Sequence, residues 1–484
     1  MNSPLHTAAG QLALQELERL APEVRELASR FSAGGHPLAL VGGCVRDAIL
    51  GRLSTDLDFT TAARPTEIKK MLQGWCDSIW ETGIEYGTIS GARGDLQIEI
   101  TTYRSELYDP ESRKPQVEFG DSLEGDLRRR DFTINAMALV LEETGSRFVD
   151  PFGGVTALNE KRLSTPGTPE ESFSDDPLRI MRAIRFAAQL GVTPDAAVLT
   201  AINVMKDRLS IISAERIREE FNKLLMSDNP RIGLSLMVST GVAEYVMPEL
   251  PKLQLEIDEH HRHKDVYEHS LIVLEQAIEM EERLGGPNLV IRLAALMHDI
   301  GKPKTRALIP GGGVSFHHHE VVGAHLAKSR LKAMRYSNDI VNDVTTLVEL
   351  HLRFHGYGSG EWTDSAVRRY VRDAEHLLTH LHVLTRSDCT TRNARKAATL
   401  AAIYDDLEAR IARLAEEEEL ASIRPDLNGN EIMEILEVKP SRLVGAAYDY
   451  LMELRLDRGP LGREIAIAEL KKWWLENQSN QSNQ

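Results

Sequence analysis

The 484-residue chain holds three cysteines, Cys44, Cys76 and Cys389, and none stands in metal-ligand or disulfide spacing. That excludes a disulfide framework and a cysteine-based metal site, and suits a reducing compartment. No apolar run is long enough to span a membrane. Residues 1–20 lack the basic-then-apolar pattern of an export signal. These absences predict a cytoplasmic protein without a membrane partner. Positive charge is also short, with 57 Lys and Arg against 73 Asp and Glu and a net charge of −16. The surface as a whole would not attract nucleic acid, so any RNA contact must come from local basic patches. No internal repeat is visible.

What is present is the composition of an ordinary globular protein, 42% hydrophobic and 27% charged. The length exceeds what one core supports, so several domains are expected. The organising stretch is residues 41–58. The apolar run Leu38–Val41 reads as a short buried strand and ends at Gly42 and Gly43. Two glycines there let backbone N–H groups approach a ligand closely, as a phosphate cradle requires. Asp56 and Asp58 flank Leu57, and on a strand alternate side chains share a face. Two carboxylates side by side repel unless a cation lies between them, and hard oxygen ligands suit Mg²⁺. Each signal alone is weak, since Gly-Gly is often a plain turn and D-x-D a solvated strand face.

In this order, with Arg46-Asp47 between them, the signals resemble motif A of nucleotidyltransferases related to DNA polymerase β. The form is that of bacterial tRNA CCA-adding enzymes and poly(A) polymerases.

Along the rest of the chain, residues 8–32 have the spacing of one amphipathic helix, with Leu12, Leu14, Leu17, Leu20, Val24 and Leu27 near helical register. A further helix is expected over 66–75, after Pro65. Residues 86–90 and 96–103 read as paired strands turning across 91–94. On the second strand Glu99 is either a third metal carboxylate or a cross-strand polar partner. Residues 104–125 are polar, hold Pro110 and Pro115, and read as a loop. Then comes Leu127-Arg-Arg-Arg-Asp-Phe-Thr-Ile-Asn-Ala136. Guanidinium pairs with phosphate in a planar fork, so Arg130 is a candidate triphosphate ligand. This segment resembles motif B of the same family.

Residues 175–186, D-D-P-L-R-I-M-R-A-I-R-F, read as a helix start in which Pro177 takes the first position and Asp176 the cap. Helical spacing gathers Ile180, Met181 and Ile184 on one face and Arg179, Arg182 and Arg185 on the other. The arginines are either a solvated basic face or a reading face. Cytosine and adenine each offer an amine donor beside a ring-nitrogen acceptor. A carboxylate accepts and a guanidinium donates, so Asp176 with Arg179 matches both bases and mispairs with guanine and uracil. Arg182 and Arg185 lie further round, within reach of base or phosphates. The helix resembles motif D of class II CCA-adding enzymes, with Asp175 where the family has Glu. Residues 213–221 resemble the following neck motif, where Glu215 and Arg216 are expected to hold helices together.

Beyond residue 260 the chemistry changes. His269, His298-Asp299, His319, His351 and Asp388 form an ordered set of imidazoles and carboxylates, suited to a transition metal or Mg²⁺. The order resembles the HD phosphohydrolase family, with His319 and His351 matching the extra ligands of two-metal members. His260, His261, His263, His317 and His318 read as loop residues. Residues 427–433 and 440–445 resemble the end of the HD-bearing form and are read as packing or an RNA contact. The tract 477–484 is expected to be disordered.

The resemblance implies an α+β protein. It has an N-terminal polymerase-β-like nucleotidyltransferase domain, a small mixed sheet with helices, then an extended, mostly α-helical portion that includes an HD-type domain. The expected parts are an N-terminal helix at 1–30, the head at 31–160, a base-selecting and RNA-binding neck at 161–260, the HD domain at 261–395, a C-terminal helical region at 396–476, and the tail. The implied activity is Mg²⁺-dependent addition of C, C and A from CTP and ATP to a tRNA 3′ end. Asp56 and Asp58 would hold metal. Gly43, Arg46 and Arg130 would place phosphates. Asp176, Arg179, Arg182 and Arg185 would select the base. His269, His298, Asp299 and Asp388 would hold a second divalent or transition metal. Poly(A) polymerase, an A-only or CC-only enzyme, and an HD phosphodiesterase with an RNA-binding N-terminal half are the alternatives.

Overall fold

Helix α1 (Pro4–Leu20) and helix α2 (Val24–Ala33) stand where one helix was expected over 8–32. Pro22 has no N–H to continue the ladder and breaks the helix there. Ala21 N closes on Leu17 O, and Val24 N starts again from Ala21 O. Leu12 is 50% exposed, whereas Ala9, Ala13 and Leu17 carry the buried face. The structure, a computed structural model, describes residues 4–107, 116–120, 122–143, 145–254, 265–310, 313–354, 357, 362–391, 393–418 and 424–481. His260, His261 and His263 lie outside the described residues. The chain parts into two units, 1–248 and 249–484.

The first unit is built on a seven-stranded mixed sheet. In chain order its elements are β1 (Leu38–Val41), α3 (Gly43–Ile49), β2 (Asp56–Thr61), α4 (Pro65–Leu72), β3 (Ser78–Trp80), β4 (Thr88–Arg93) and β5 (Leu96–Thr102). Then follow β6 (Arg104–Leu107), β7 (Gln116–Phe119), α5 (Leu123–Arg128), β8 (Ala138–Leu141) and β9 (Ser146–Val149). The sheet order is β3-β4-β5-β2-β1-β8-β9. β1 is buried along its whole length: Leu38 and Leu40 pack into one cluster, Ala39 and Val41 into another on the opposite face. A strand covered on both faces reads as an unbroken apolar run, which is why Leu-Ala-Leu-Val was legible.

Two expectations change here. The segment expected as a loop over 104–125 contains an antiparallel hairpin, β6 with β7, and the helix α5. Hairpin pairing is set by backbone register, which the polar composition of that segment does not display. The turn expected across 91–94 is tighter, because β4 runs on to Arg93. Gly91 lies within the strand, where a Cβ would come 2.6 Å from Cys76 Sγ, and the chain turns at Gly94 with φ +56°.

The unit continues helically, as expected, with α6 (Gly154–Asn159), β10 (Arg162–Leu163), α7 (Pro169–Asp175), α8 (Leu178–Leu190), β11 (Thr193–Pro194) and α9 (Ala196–Met205). It closes with α10 (Ala214–Leu225), α11 (Pro230–Ser239) and α12 (Ala243–Val246). β10 and β11 form a short parallel pair. Helix α8 packs on α10 and α11.

The second unit is almost entirely helical. It comprises α13 (Val266–Glu279), α14 (Leu289–Met297), α15 (Lys302–Thr305), the hairpin β12 (Ala307–Leu308) with β13 (Val314–Ser315), α16 (His319–Ala333) and α17 (Asn338–Leu350). It goes on with α18 (Asp364–Ala374), α19 (Leu378–Ser387), α20 (Ala394–Glu418), α21 (Gly429–Leu436), α22 (Arg442–Arg458) and α23 (Arg463–Gln481). Helix α14 is buried from Ile291 to Met297 all round, so it is the centre of its bundle. Leu427, Ile432, Leu451 and Leu470 form a C-terminal core, which assigns the 427–433 stretch to packing. Of the disordered tail expected over 477–484, residues 477–481 belong instead to α23, and 482–484 lie outside the described residues. Asn477 Nδ2 donates to Trp473 O, so its amide is satisfied inside the helix. No described helix is long and apolar enough to cross a membrane.

Candidate active site

Leu57 and Phe59 fix the polar face of β2, because both are buried beneath the sheet and turn Asp56 and Asp58 to the open side. β5 lies beside β2 in parallel register, Asp56 opposite Gln97 and Asp58 opposite Glu99. The strand alternation of β5 buries Leu96, Ile98 and Ile100 and leaves Gln97 and Glu99 exposed. Three carboxylates, Asp56, Asp58 and Glu99, therefore gather on one polar face. Burial pushes the Asp58 carboxyl up to about 6; Arg130 opposes this, and Glu99 and Asp56 add to it. Crowded acids of this kind fit a divalent cation held by hard oxygens. Cys44 sits underneath: its Sγ accepts the Asp58 N–H at 3.2 Å, and burial raises its thiol to about 12. It serves as an inert support for the strand.

The glycine turn has its constrained residue at Gly42, with φ +71°. A Cβ there would lie 2.6 Å from Arg130 Nη1, so a larger residue would strain the turn and push this guanidinium aside. Gly43 opens α3, beside Arg46. Arg130 is anchored by Asp126, 3.3 Å from its Nη2, and Asp126 is fully buried. Arg46 is buried and already engaged. Its Nη1 donates to Asn135 Oδ1 at 2.6 Å, its Nε and Nη2 donate to Asp47, and its guanidinium lies 5.2 Å from the Phe186 ring.

From Asn135 a buried chain of polar contacts reaches helix α8. Asn135 Nδ2 donates to Asp131 Oδ1 at 3.0 Å. Asp131 Oδ2 accepts two bonds from Arg182, at 2.7 and 2.5 Å. Burial alone would raise the Asp131 carboxyl, but Arg182 and Asn135 outweigh it and hold it at about 2. Arg182 also faces Glu220 at 3.6 Å, and Glu220 pairs with Arg185 at 2.6 Å. Arg182 and Arg185 both stack on Phe186, the latter at 4.2 Å. The solvated basic face considered for α8 is therefore absent: Arg179 and Arg185 are 9% and 8% exposed. Asp131, Asn135 and Glu220 were not among the expected site residues. The i,i+4 spacing of Asp131 and Asn135 was visible; Glu220, in the neck stretch, gave no signal of its own.

Asp176 acts as the expected cap, its Oδ1 accepting the Leu178 N–H at 3.1 Å. Its Oδ2 accepts from Arg216 at 3.0 Å, so Arg216 does tie the neck helix α10 to the start of α8. Arg179 donates to Ser172 Oγ at 2.9 Å and to the Arg129 carbonyl at 2.6 Å. Asp176, Arg179 and Arg182 line one recess of about 240 Å³, together with Arg129, Arg130, Asp131, Leu178 and Arg216. A carboxylate has several lone pairs and a guanidinium five donors. Both partners thus keep hydrogen-bonding capacity towards a base.

The second unit brings all of its expected ligands together. His269, His298 and Asp388 form one group, and Asp299, His319 and His351 another. Asp299 joins them. Its Oδ2 lies 3.5 and 3.2 Å from Nε2 of His269 and His298, and its Oδ1 lies 3.3 and 4.0 Å from Nε2 of His319 and His351. Each ring is oriented through Nδ1: His298 to Ala295 O, His319 to Phe316 O, His351 to Val348 O, and His269 to Thr390 Oγ1. Such outer contacts select the tautomer that aims a bare Nε2 at a metal. His351 Nε2 is buried without a hydrogen bond, and burial, with His298 beside it, pushes its imidazole down to about 3. An imidazole kept neutral with an unmatched lone pair fits a metal ion. Lys302 pairs with Asp299 at 2.5 Å. His317 and His318 lie in the turn before α16.

Three family descriptions match the chain: "Poly A polymerase head domain" over 38–164, "Probable RNA and SrmB- binding site of polymerase A" over 191–253, and "HD domain" over 266–417. The CCA-adding enzyme of Streptococcus suis (strain 05ZYH33) is 31% identical over 469 residues, which span 96% of this chain and 100% of that protein. The CCA-adding enzyme of Limosilactobacillus reuteri (strain DSM 20016) is 39% identical over 235 residues, 48% of this chain and 57% of that one. Among solved structures, the Bacillus stearothermophilus CCA-adding enzyme in complex with CTP matches with a TM-score of 0.68 at 22% identity, over 96% and 99% of the two chains. The Thermotoga maritima CCA-adding enzyme complexed with tRNA matches with a TM-score of 0.61 at 18% identity, over 96% and 98%. These structures share the fold.

Proposed function

Because the chain belongs to the CCA-adding enzyme family, we propose that it adds C, C and A from CTP and ATP to the 3′ end of tRNA without a nucleic-acid template. The observation that carries this reading is the face shared by Asp56, Asp58 and Glu99 beside the Gly42–Arg130 contact. The RNA 3′-hydroxyl would attack the α-phosphorus, forming a phosphodiester and releasing pyrophosphate. Asp56 and Asp58, with Glu99, would hold Mg²⁺, which when bound lowers the hydroxyl pKa and stabilises the leaving pyrophosphate. Arg130 and the Gly43 N–H would cradle the triphosphate, the Gly42 N–H being taken by the Met137 carbonyl. Asp176 and Arg179 would meet the Watson–Crick edge of C or A. Arg46, Arg182 and Arg185, held by Asn135, Asp131 and Glu220, would fix the shape of the pocket and supply positive potential behind the nucleotide. The setting is cytoplasmic, where tRNA and both triphosphates are met.

The proposed divisions are a head at 31–160, a neck at 161–260, which runs past the unit boundary at residue 248, and an HD domain at 261–395. The test is incorporation into tRNA lacking CCA by the unaltered enzyme and by Asp58→Ala. The variant is expected to lose roughly a hundredfold or more in rate with tRNA binding retained. Near-normal transfer by Asp58→Ala would remove the metal assignment.

A second reading concerns the HD domain, and the bridging position of Asp299 between two imidazole groups favours it. There the chain would hold two divalent metals and hydrolyse phosphoesters. Full-length protein with no bound divalent metal and no cleavage of a 2′,3′-cyclic nucleotide would contradict it. An HD phosphodiesterase whose N-terminal half only binds RNA is disfavoured by the intact carboxylate face of β2 and β5.

A further inference from the structure

Beside the base recess lies a second recess of about 250 Å³ for which the reading so far has no occupant. Five arginines line it, Arg104, Arg128, Arg129, Arg130 and Arg179, against two acids, Glu171 and Asp175. In a chain of net charge −16, five guanidinium groups converging on one cavity is a local basic patch of the kind RNA contact demands. Arg129, Arg130 and Arg179 form a wall shared with the base recess, while Arg104 and Arg128 line only the second. Arg128 is exposed and has no ion pair among the described residues.

Polar side chains link Arg104, at the edge of this recess, to the carboxylate face. Thr101 lies two residues beyond Glu99 on the same side of β5, and its register partner on β4 is Thr88. Thr88 Oγ1 and Thr101 Oγ1 are 2.9 Å apart, and Arg104 Nη2 donates to Thr88 Oγ1 at 2.8 Å. A line of polar side chains thus runs from Asp58 and Glu99 through Thr101 and Thr88 to Arg104.

Arg104 and Arg128 have no part in the placement proposed for the incoming nucleotide. Its triphosphate is assigned to Arg130 and the glycine turn, and its base to Asp176 and Arg179. The other participant is the RNA end, whose 3′-hydroxyl must reach the carboxylate face. Its preceding phosphodiesters must then lie along or near that face. We propose that the recess lined by Arg104 and Arg128 is a subsite for a backbone phosphate next to the growing RNA 3′ end. The proposal rests on the nucleotidyltransferase reading. Planar guanidinium forks are the preferred protein partner of a phosphodiester, and contacts to phosphate position RNA without reading its sequence. One subsite could therefore serve all three additions although the terminal base changes.

The test is steady-state A addition to tRNA ending in CC by the full chain, comparing Arg128→Ala, Arg104→Ala and Arg128→Lys. Activity of the unaltered enzyme is measured first; absence of any incorporation there would remove the nucleotidyltransferase reading itself. Given activity, Arg128→Ala and Arg104→Ala are expected to raise KM for tRNA roughly fivefold each, with kcat and KM for ATP unchanged. The salt dependence of tRNA affinity should also weaken by the equivalent of about one phosphate contact, and Arg128→Lys should recover most of the loss. Unchanged KM for tRNA in both alanine variants would overturn the proposal. So would a rise in KM for ATP, or altered inhibition by pyrophosphate, which would give the recess to the nucleotide's own phosphates.

Discussion

Asp58 on β2 and Glu99 on β5 are register partners across a parallel pairing, so their carboxylates emerge side by side from adjacent strands. Burial pushes the Asp58 carboxyl up to about 6, and Glu99 is one of the charges that adds to it. Below about pH 6 Asp58 is protonated and cannot hold a cation well; above it the carboxylate is formed. Activity at limiting Mg²⁺ should fall as pH drops through 6. Glu99→Gln removes one of the opposing charges, so the acid limb should move to lower pH while the plateau rate drops. A pH–rate profile of both proteins checks this, and an unmoved limb would separate Glu99 from the site.

Asp176 accepts hydrogen bonds on both oxygens within the protein, and in the proposed function it accepts a further one from a base amine. Asp176→Asn replaces one acceptor with a donor. The variant should lose discrimination against UTP by roughly tenfold or more, measured as kcat/KM ratios for CTP, ATP and UTP. Retained discrimination would place base selection elsewhere.

Asp131 joins the 127–136 segment to helix α8 through Arg182. Asp131→Asn leaves Arg182 without its charged partner, with Glu220 at 3.6 Å as partial compensation. The expected cost is about 2–3 kcal/mol, below that of a fully buried pair because Arg182 is partly solvated. The folded-state carboxyl lies at about 2, under its unfolded value of about 3.9. Its contribution is therefore complete above about pH 4 and fades as pH falls towards 2. Thermal unfolding from pH 2 to 7 should show the gap between the two proteins closing at the acid end. A constant gap would point to packing in place of charge.

Asp299 presents one oxygen to His269 and His298 and the other to His319 and His351. Asp299→Ala should empty both metal positions together, whereas His351→Ala should weaken the second group first. Metal content of the purified full-length variants reads this directly. CCA addition should survive both substitutions, since the nucleotidyltransferase carboxylates belong to the other unit.

The parts of this account legible in the sequence share a physical cause. Strand β1 showed because it is buried on both faces, and Asp56 and Asp58 showed because strand alternation is local. The cap at Asp176 showed because Pro177 follows it. What stayed hidden depends on partners distant in the chain. Glu99 could be read two ways until β5 was placed beside β2. The arginines of α8 read equally as a solvated face, because their partners Asp131 and Glu220 lie 51 and 38 residues or fewer away in sequence and on other elements. The break between α1 and α2 was available in Pro22, but the regular leucine spacing on either side obscured it. In the HD region the ligand order was visible, whereas the bridging geometry of Asp299 required the packing of α13, α14, α16 and α17 around one point.

The most direct measurement is nucleotide incorporation by the purified protein on tRNA transcripts lacking CCA, CA or A, with CTP and ATP given separately and together, beside Asp56→Ala. The account predicts ordered C, C and A addition that then stops, and its loss in the variant with tRNA binding kept. Long A tails from ATP alone, or incorporation that survives Asp56→Ala, would contradict it.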